Sequence, residues 1–428
     1  MNELFIYYGS REVGQLLFDP NDEFLELRYA PEWQENGFPL SPHLPLRGAI
    51  PHINIKRFIE NLFPEGAHFE SLLEEYRLSR TYTLRILSLM GGETTGAFRF
   101  SPTKVSQPVT TFREVPVKEL SKRLDERSQT GLIMWDGKPR LSVTGVQDKL
   151  PLLTMPDGKM GFGDGDLASN TIVKFQNLNN KTPHLVLNEF FCLTLARKVG
   201  FTIPGISFKK IGAHPALFIQ RFDREWNKNT ITRKHIIDGC QATNLPASYK
   251  YERNLGSSRD VTEVRDGVSL QKIFEFNRHC IVPAKTAIDI LNWTILNLCI
   301  GNADAHGKNI SYFVDKSGIQ LAPLYDLVNI AVYPELEQNL AMSVGDEFDA
   351  LQVKGFQLLT FSEQIGIDIK LMGRQFKLIT EKILSSLDSI EMPAEALNVD
   401  FENVLKKSIK TRTKHFQLCA QEALKIKA

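Results

Sequence analysis

The chain opens with the apolar run Leu4-Phe5-Ile6-Tyr7-Tyr8, a Gly9-Ser10 turn, and a second run from Val13 to Phe18, which predicts a strand, a turn and a strand. Apolar positions then fall at helical spacing over Ile55 to Leu62 and Phe69 to Leu78. Ser101-Pro102 closes this first α/β region. Residues 106–135 read as a connector with a helix around Val117 to Arg127. From Pro139 to Phe222 the pattern is strand-rich. Leu150 to Thr154 followed by Met155-Pro156-Asp157-Gly158-Lys159 predicts a hairpin, and Thr171-Ile172-Val173-Lys174-Phe175 and Ala216 to Gln220 predict further strands. Gly161-Phe162-Gly163-Asp164-Gly165 has no helix directly after it and is read as a turn-rich loop. Leu187 to Lys198 is an amphipathic helix that Gly200 stops, with Pro204 beyond.

Past residue 223 the pattern turns helical. Helices are expected at Leu270 to Phe276, Lys285 to Leu298, Gln375 to Leu387 and Asn403 to Lys425, with two short strands around Ser311 to Val314 and Gln320 to Leu321. A strand-rich half followed by a helical half, with polar motifs at the junction, predicts an α+β enzyme of two lobes with a cleft. The expected boundaries are 1–105, 106–222 and 223–428.

Composition narrows the classes. With 42% hydrophobic and 24% charged residues the chain is an ordinary globular sequence. A net charge of +1 gives no global attraction to nucleic acid or membranes. The five cysteines, Cys192, Cys240, Cys280, Cys299 and Cys419, form no CxxC pair, which argues against zinc and a disulfide framework and favours a reducing cytoplasm. No signal peptide is visible after Met1, and the apolar stretch Ile288 to Ile300 is too short and too polar to span a bilayer. No membrane partner is expected.

The chemistry is concentrated in Asn302-Ala303-Asp304-Ala305-His306-Gly307-Lys308-Asn309, between an apolar helix and a strand. Asp304 and Asn309 stand at the spacing that lets one carboxylate accept a hydroxyl proton and one amide oxygen bind magnesium. Turn capping by Asn302 and Asp304 is the competing reading. Asp326, in Leu324-Tyr325-Asp326-Leu327, follows the short strands in the place of a second metal ligand. Lys174 lies inside an apolar strand, where its ammonium needs an anion such as ATP phosphate, unless it points outward to solvent. Glu189 on the next helix is its candidate partner. The segment Ser142-Val143-Thr144-Gly145-Val146-Gln147-Asp148-Lys149 is neither a Walker A loop nor a GxGxxG, but its small residues suit backbone N–H contacts to phosphates.

Together these blocks resemble the HipA family of toxin kinases. Ser142 to Lys149 is similar to the family's SxxGxQxK segment, Phe218-Ile219-Gln220-Arg221-Phe222-Asp223-Arg224 to its ERFDR segment, Asn302 to Asn309 to its NxDxHxKN loop, and Tyr325-Asp326 to its YD motif. Asp238-Gly239-Cys240-Gln241 through Leu245-Pro246 and Lys250-Tyr251-Glu252 resemble another shared block. The resemblance implies a two-lobed protein-kinase-like fold with an extra N-terminal subdomain, and a serine/threonine kinase using ATP and Mg2+. It implies Asp304 as base, Asn309 and Asp326 as magnesium ligands, and Lys308 at the transferred phosphate. Thr144, Gly145, Val146, Gln147, Asp148, Lys149 and Lys174 would contact ATP. Gln220, Arg221 and Phe222 would form the adenine hinge through backbone groups, with Asp223 near the ribose and Gln220 standing where the family has Glu. His306 either orients the loop beside ATP or is a satisfied core histidine. Ser142 matches the autophosphorylation site, whose added charge would expel the phosphate loop; an ordinary strand-end serine is the plain alternative.

The resemblance further implies a cytoplasmic bacterial toxin that arrests growth and favours persistence by phosphorylating a translation factor such as glutamyl-tRNA synthetase. Its partner would be a HipB-like helix-turn-helix antitoxin, through which the complex would sit on operator DNA at the nucleoid and repress its operon. The basic positions Lys370, Arg374 and Lys377, and Lys406, Lys407, Lys410, Arg412 and Lys414, carry no DNA-reading motif and are read first as solvated helix faces. Two other classes compete: a small-molecule phosphotransferase with a kinase-like fold, and a catalytically weak, antitoxin-bound corepressor.

Overall fold

The computed structural model describes residues 2–19, 24–90, 92–104, 109–132, 134–140, 147–396 and 398–426. Ser142, Thr144, Gly145 and Val146 therefore lie outside the described residues. Two compact units emerge: Met1–Leu178 with Gly205–Ile237 and Tyr312–Ile319, and Asn179–Pro204 with Asp238–Ser311 and Gln320–Ala428.

The largest sheets of the first unit, of four and six strands, are both antiparallel. The smaller has the order Phe24–Tyr29, Arg11–Asp19, Glu3–Tyr8, Phe98–Ser101. The larger runs Ile206–Ile211, His214–Gln220, Thr171–Phe175, Lys149–Thr154, Met160–Asp164, Thr111–Glu114. Its inner face buries Leu150, Leu152, Val173 and Phe175 under Leu120 and Leu124 of the helix Val117–Asp125. Burying such side chains stabilises by about 1.5–3 kcal/mol each.

The glycine-rich stretch at 161–165 corrects an expectation. It is not a loop: Met160–Asp164 is a strand, paired on both edges. A Cβ on Gly161 would come 2.1 Å from the Arg113 carbonyl oxygen, and one on Gly163 would meet Leu167 at 2.8 Å. Glycine is there because the neighbouring backbone approaches closely, a role that composition alone does not separate from a turn.

His235 shows how fully this unit is packed. Its ring lies 4.3 Å from the Phe98 ring, Nε2 is 2.7 Å from the Leu40 carbonyl oxygen, and 3% of the residue is exposed. Burial pushes its pKa down from 6.5 to about 4, although Leu40 and Asp223 pull the other way. Between those values the unfolded chain carries the extra proton, so stability is present near neutrality and falls as pH drops from about 6.5 toward 4. Urea unfolding of wild type and His235→Phe at pH 7 and pH 5 checks this. The pH-dependent loss is expected to be smaller in the variant by about 2 kcal/mol, the worth of one proton over that window; equal losses would refute it.

The second unit is mainly helical. Pro283 at the first turn and Gly301 in the left-handed conformation (φ 72°) bound the helix Pro283–Ile300. Ile290, Leu291, Ile295 and Leu296 on it are fully buried. Ile369–Ser386 starts earlier than its apolar pattern suggested because Asp368 accepts from the Lys370 and Leu371 amides. The last helix spans Val399–Ile426 and carries the basic run, where Lys406 pairs with Glu402 at 2.6 Å. Gly355–Gln364 and the strand pair Asn339–Val344 with Glu347–Asp349 were not anticipated. Among the described residues, no helix is long and apolar enough to cross a membrane.

Candidate active site

The helix Pro283–Ile300 delivers the chain into the polar loop. The Gly301 N–H closes the helix on the Asn297 and Leu298 carbonyls. Asn302 then donates from its backbone to Asn297 O at 2.9 Å and from its side chain to Asn297 Oδ1 at 2.8 Å. Ala341 N–H, on the strand Asn339–Val344, fastens the Ala303 carbonyl at 2.8 Å. Within the loop, His306 N–H donates to Asp304 O (2.8 Å) and Asn309 N–H to His306 O (2.9 Å). These bonds account for the backbone of a segment with little regular structure.

His306 is buried, and its Nδ1 accepts from the Lys308 amide at 3.2 Å. Burial first, then the nearby Lys250 charge, push its pKa down to about 3. It is therefore neutral at physiological pH, and its acceptor nitrogen takes the Lys308 amide. Both sequence readings, a loop-orienting residue and a satisfied core histidine, fit this placement.

Asn309 and Asp326 come together. Asn309 Nδ2 donates to Asp326 Oδ2 at 2.6 Å, although the residues lie 17 positions apart. Asn309 is 4% exposed, and its Oδ1 has no hydrogen-bond partner among the described residues. A buried amide oxygen without a donor costs about 1–3 kcal/mol, so such an atom calls for a ligand. One amide oxygen beside one carboxylate is a donor set that suits Mg2+, which takes oxygen ligands and retains waters. Asp326 sits at φ 58°, a left-handed conformation unusual outside glycine and a recurrent mark of functional positions. Next to it, the hydroxyl of the half-buried Tyr325 lies 2.7 Å from both Lys308 O and Ser311 Oγ, tying the end of the loop to the Asp326 segment.

Asp304 itself is exposed, and the Tyr251 hydroxyl donates to its Oδ1 at 2.6 Å. Lys308 is buried and its ammonium meets Asp238 Oδ2 at 2.5 Å. Asp238 also caps the short helix Gly239–Ala242 through a reciprocal bond with Gln241. A lysine held this way anchors the loop, and reaching a transferred phosphate would require breaking a buried ion pair. Neither Asp238 nor Tyr251 had been given a role from the sequence. Their only signal was membership of the two blocks shared with the family, 50 to 70 positions upstream.

In the strand-rich unit, Lys174 is 7% exposed and stands directly opposite Lys149 on the neighbouring strand. Directly opposite side chains share a face, so the two lysines lie on one side of the sheet. Gln147 donates to Phe175 O at 3.1 Å, and Asp148 lies 3.6 Å from the buried Arg127 guanidinium. Glu189 is fully buried on the helix Leu185–Val199 of the helical unit.

The hinge segment is more occupied than expected. Gln220 N–H donates to Gly205 O and Arg221 N–H to Asn170 O, both at 2.8 Å. The Phe222 ring packs edge-on against Phe313. Asp223 is 3% exposed and takes Arg221 on both oxygens (2.9 and 2.8 Å) and Arg224 at 2.7 Å. Burial alone would raise its carboxyl, but Arg221 and Arg224 hold it well below the usual range. Arg221 continues to Ser169 Oγ at 2.9 Å and Arg224 to Thr94 O at 3.0 Å. The conspicuous motif is therefore a buried ionic knot joining the 90s loop to the larger sheet.

Comparison with known proteins shows the family. Residues 141–390 match the model of the HipA-like C-terminal domain, and residues 4–101 that of the HipA N-terminal domain. A serine/threonine-protein kinase toxin HipA of Shewanella oneidensis is 37% identical over 400 residues, covering 93% of this chain and 91% of that protein. The solved complex of HipA, HipB and operator DNA from Shewanella oneidensis MR-1 contains a chain of TM-score 0.87 and 35% identity, matched over 98% of this chain and 99% of that one. This chain, with the two sheets, the helical unit and the loop from Asn302 to Asn309 described above, belongs to the HipA family.

Proposed function

We propose that this protein is a serine/threonine kinase that transfers the γ-phosphate of ATP to a hydroxyl of a protein target. One observation carries the reading: the unsatisfied, buried Oδ1 of Asn309 beside the Asp326 carboxylate, five residues beyond Asp304 on a loop pinned at both ends. A magnesium ion there would neutralise charge on the phosphates as transfer proceeds. Asp304 accepts the proton of the acceptor hydroxyl. Lys174 and Lys149 take phosphate oxygens in the strand-rich unit. Lys308 and His306 hold the loop, and Asp223 fixes the hinge segment from below. Ser142 remains the autophosphorylation candidate.

The similarity to a toxin crystallised with HipB and operator DNA supports a toxin role, with a helix-turn-helix antitoxin as partner and DNA reached through it. A translation factor such as an aminoacyl-tRNA synthetase is the proposed target. Magnesium titration of phosphate transfer tests the reading. Wild type is expected to saturate in the low millimolar range, on the order of cellular Mg2+, and Asn309→Ala to need at least about tenfold more, the worth of one lost ligand contact. Identical titrations would remove Asn309 from the metal, and no transfer by wild type at any magnesium concentration would overturn the kinase reading.

A further inference from the structure

We propose that Tyr251 is a positioning residue for the base, holding the Asp304 carboxylate toward the acceptor hydroxyl through its own phenol. The inference rests on the reading of Asp304 as that base. The Tyr251 hydroxyl donates to Asp304 Oδ1 at 2.6 Å, in the short range of charge-assisted bonds. Asp304 is exposed and sits on a short polar loop, so its side chain would otherwise sample several rotamers. A base has to meet its proton within about 0.5 Å of the productive geometry, and a strong bond to one carboxylate oxygen helps to fix that geometry.

Tyr251 is 36% exposed, but the backbone on both sides of it is held. Its ring packs edge-on against His306, with centroids 5.0 Å apart and planes at 89°. The preceding carbonyl, Lys250 O, accepts from the Gly307 amide at 2.9 Å, so the tyrosine segment is bonded to the catalytic loop itself. The following residue, Glu252, is 2% exposed and bonds through its amide to Ala341 O at 2.9 Å. Its carboxylate is clamped by Arg265 and by the Ser343 amide, the latter at 2.7 Å. Gly267 passes so close that a Cβ there would fall 1.7 Å from Tyr251 O. Ala341 also fastens Ala303 at the other end of the loop, so base and tyrosine share one frame.

This rigidity decides between two roles. A phenol seated on a kinase base also resembles an acceptor hydroxyl, and a mobile tyrosine there would act as a plug that substrate displaces. A tyrosine whose backbone is bonded on both flanks and whose ring packs edge-on against the loop histidine fits the staying role better than the plug. Removing the hydroxyl alone should therefore slow the chemical step and leave nucleotide binding untouched.

The test compares Tyr251→Phe, Tyr251→Met and Asp304→Asn with wild type for transfer from MgATP to a protein acceptor, alongside thermal unfolding. Both tyrosine variants are expected to lose about tenfold in kcat, the worth of one charge-assisted hydrogen bond, with KM for ATP and Tm unchanged. Similar losses in the two assign the effect to the hydroxyl instead of the ring. Unchanged kcat in Tyr251→Phe would overturn the proposal, and so would raised kcat, which would identify a plug. An active Asp304→Asn enzyme would overturn the base reading and the inference with it. An inactive Asp304→Asn enzyme beside a fully active Tyr251→Phe enzyme would overturn the inference alone.

Discussion

Asp304→Asn should reduce phosphate transfer by about 10³-fold, within the range that general base catalysis supplies. The substitution keeps the shape of the side chain and its ability to accept from Tyr251, which now reaches Asp304 Oδ1 at 2.6 Å. The backbone bonds from His306 N–H to Asp304 O and from Ala341 N–H to Ala303 O do not involve the changed atoms. ATP affinity and Tm should therefore stay near the wild-type values while kcat collapses. Equilibrium nucleotide binding and single-turnover kinetics, run side by side, separate the two. A fall in ATP affinity that matches the fall in rate would mean that the residue binds nucleotide and does not act on the acceptor proton.

The second large effect concerns stability. Asp223→Ala is expected to destabilise the strand-rich unit by about 3–5 kcal/mol, because it removes the carboxylate nearest two buried guanidinium groups and leaves Arg221 only the more distant carboxylate of Glu93, at 3.8 Å. Arg221 and Arg224 both point at that one carboxylate. Burial already pushes Arg224 down to about 9, with the Arg221 charge adding to the effect and Asp223 opposing it. Without the carboxylate the two like charges face each other, and the links to Ser169 and Thr94 lose their common anchor. Urea unfolding followed by the fluorescence of Trp135, which is buried in this unit, reports the loss. A change below about 1 kcal/mol would show that the arginines find other partners or water, as at an exposed pair. Replacing Arg221, Asp223 and Arg224 together by apolar residues should cost less than Asp223→Ala alone, since no charge is then left unpaired.

These two residues also mark what the sequence could and could not convey. The loop around Asp304 was legible because dense polar functionality between two buried elements has few structural explanations. The helix and strand that flank it followed from apolar spacing, and Gly301 announced the helix end. Asp223 was less readable. A motif carries the identity of its residues but not the direction of their side chains. Only the fold shows that the Asp223 carboxylate is saturated by arginines one and two positions away. Long-range pairings were likewise out of reach. Asp238 meets Lys308 across 70 positions, and Tyr251 meets Asp304 across 53. Gly161 and Gly163 misled for a related reason. Glycine serves both turns and close strand packing, and the neighbour that decides, Arg113 O or Leu167, is set by tertiary structure.

The nucleotide contacts were read from less than the catalytic loop was. Lys174 stood out because a lysine in an apolar strand is costly without an anion, and it lies opposite Lys149 on the next strand. The hinge was read through the resemblance alone. The amides of Gln220 and Arg221 proved to be committed to Gly205 and Asn170, which backbone geometry determines and side-chain identity does not.

The most direct test of the central claim follows the label from γ-³²P-ATP and Mg2+ when the purified chain is mixed with a bacterial lysate, with Asp304→Asn run in parallel. The account predicts label in protein, stable to removal of small molecules, located on serine or threonine, and absent with Asp304→Asn. Label confined to the small-molecule fraction, or protein labelling that Asp304→Asn leaves undiminished, would contradict it.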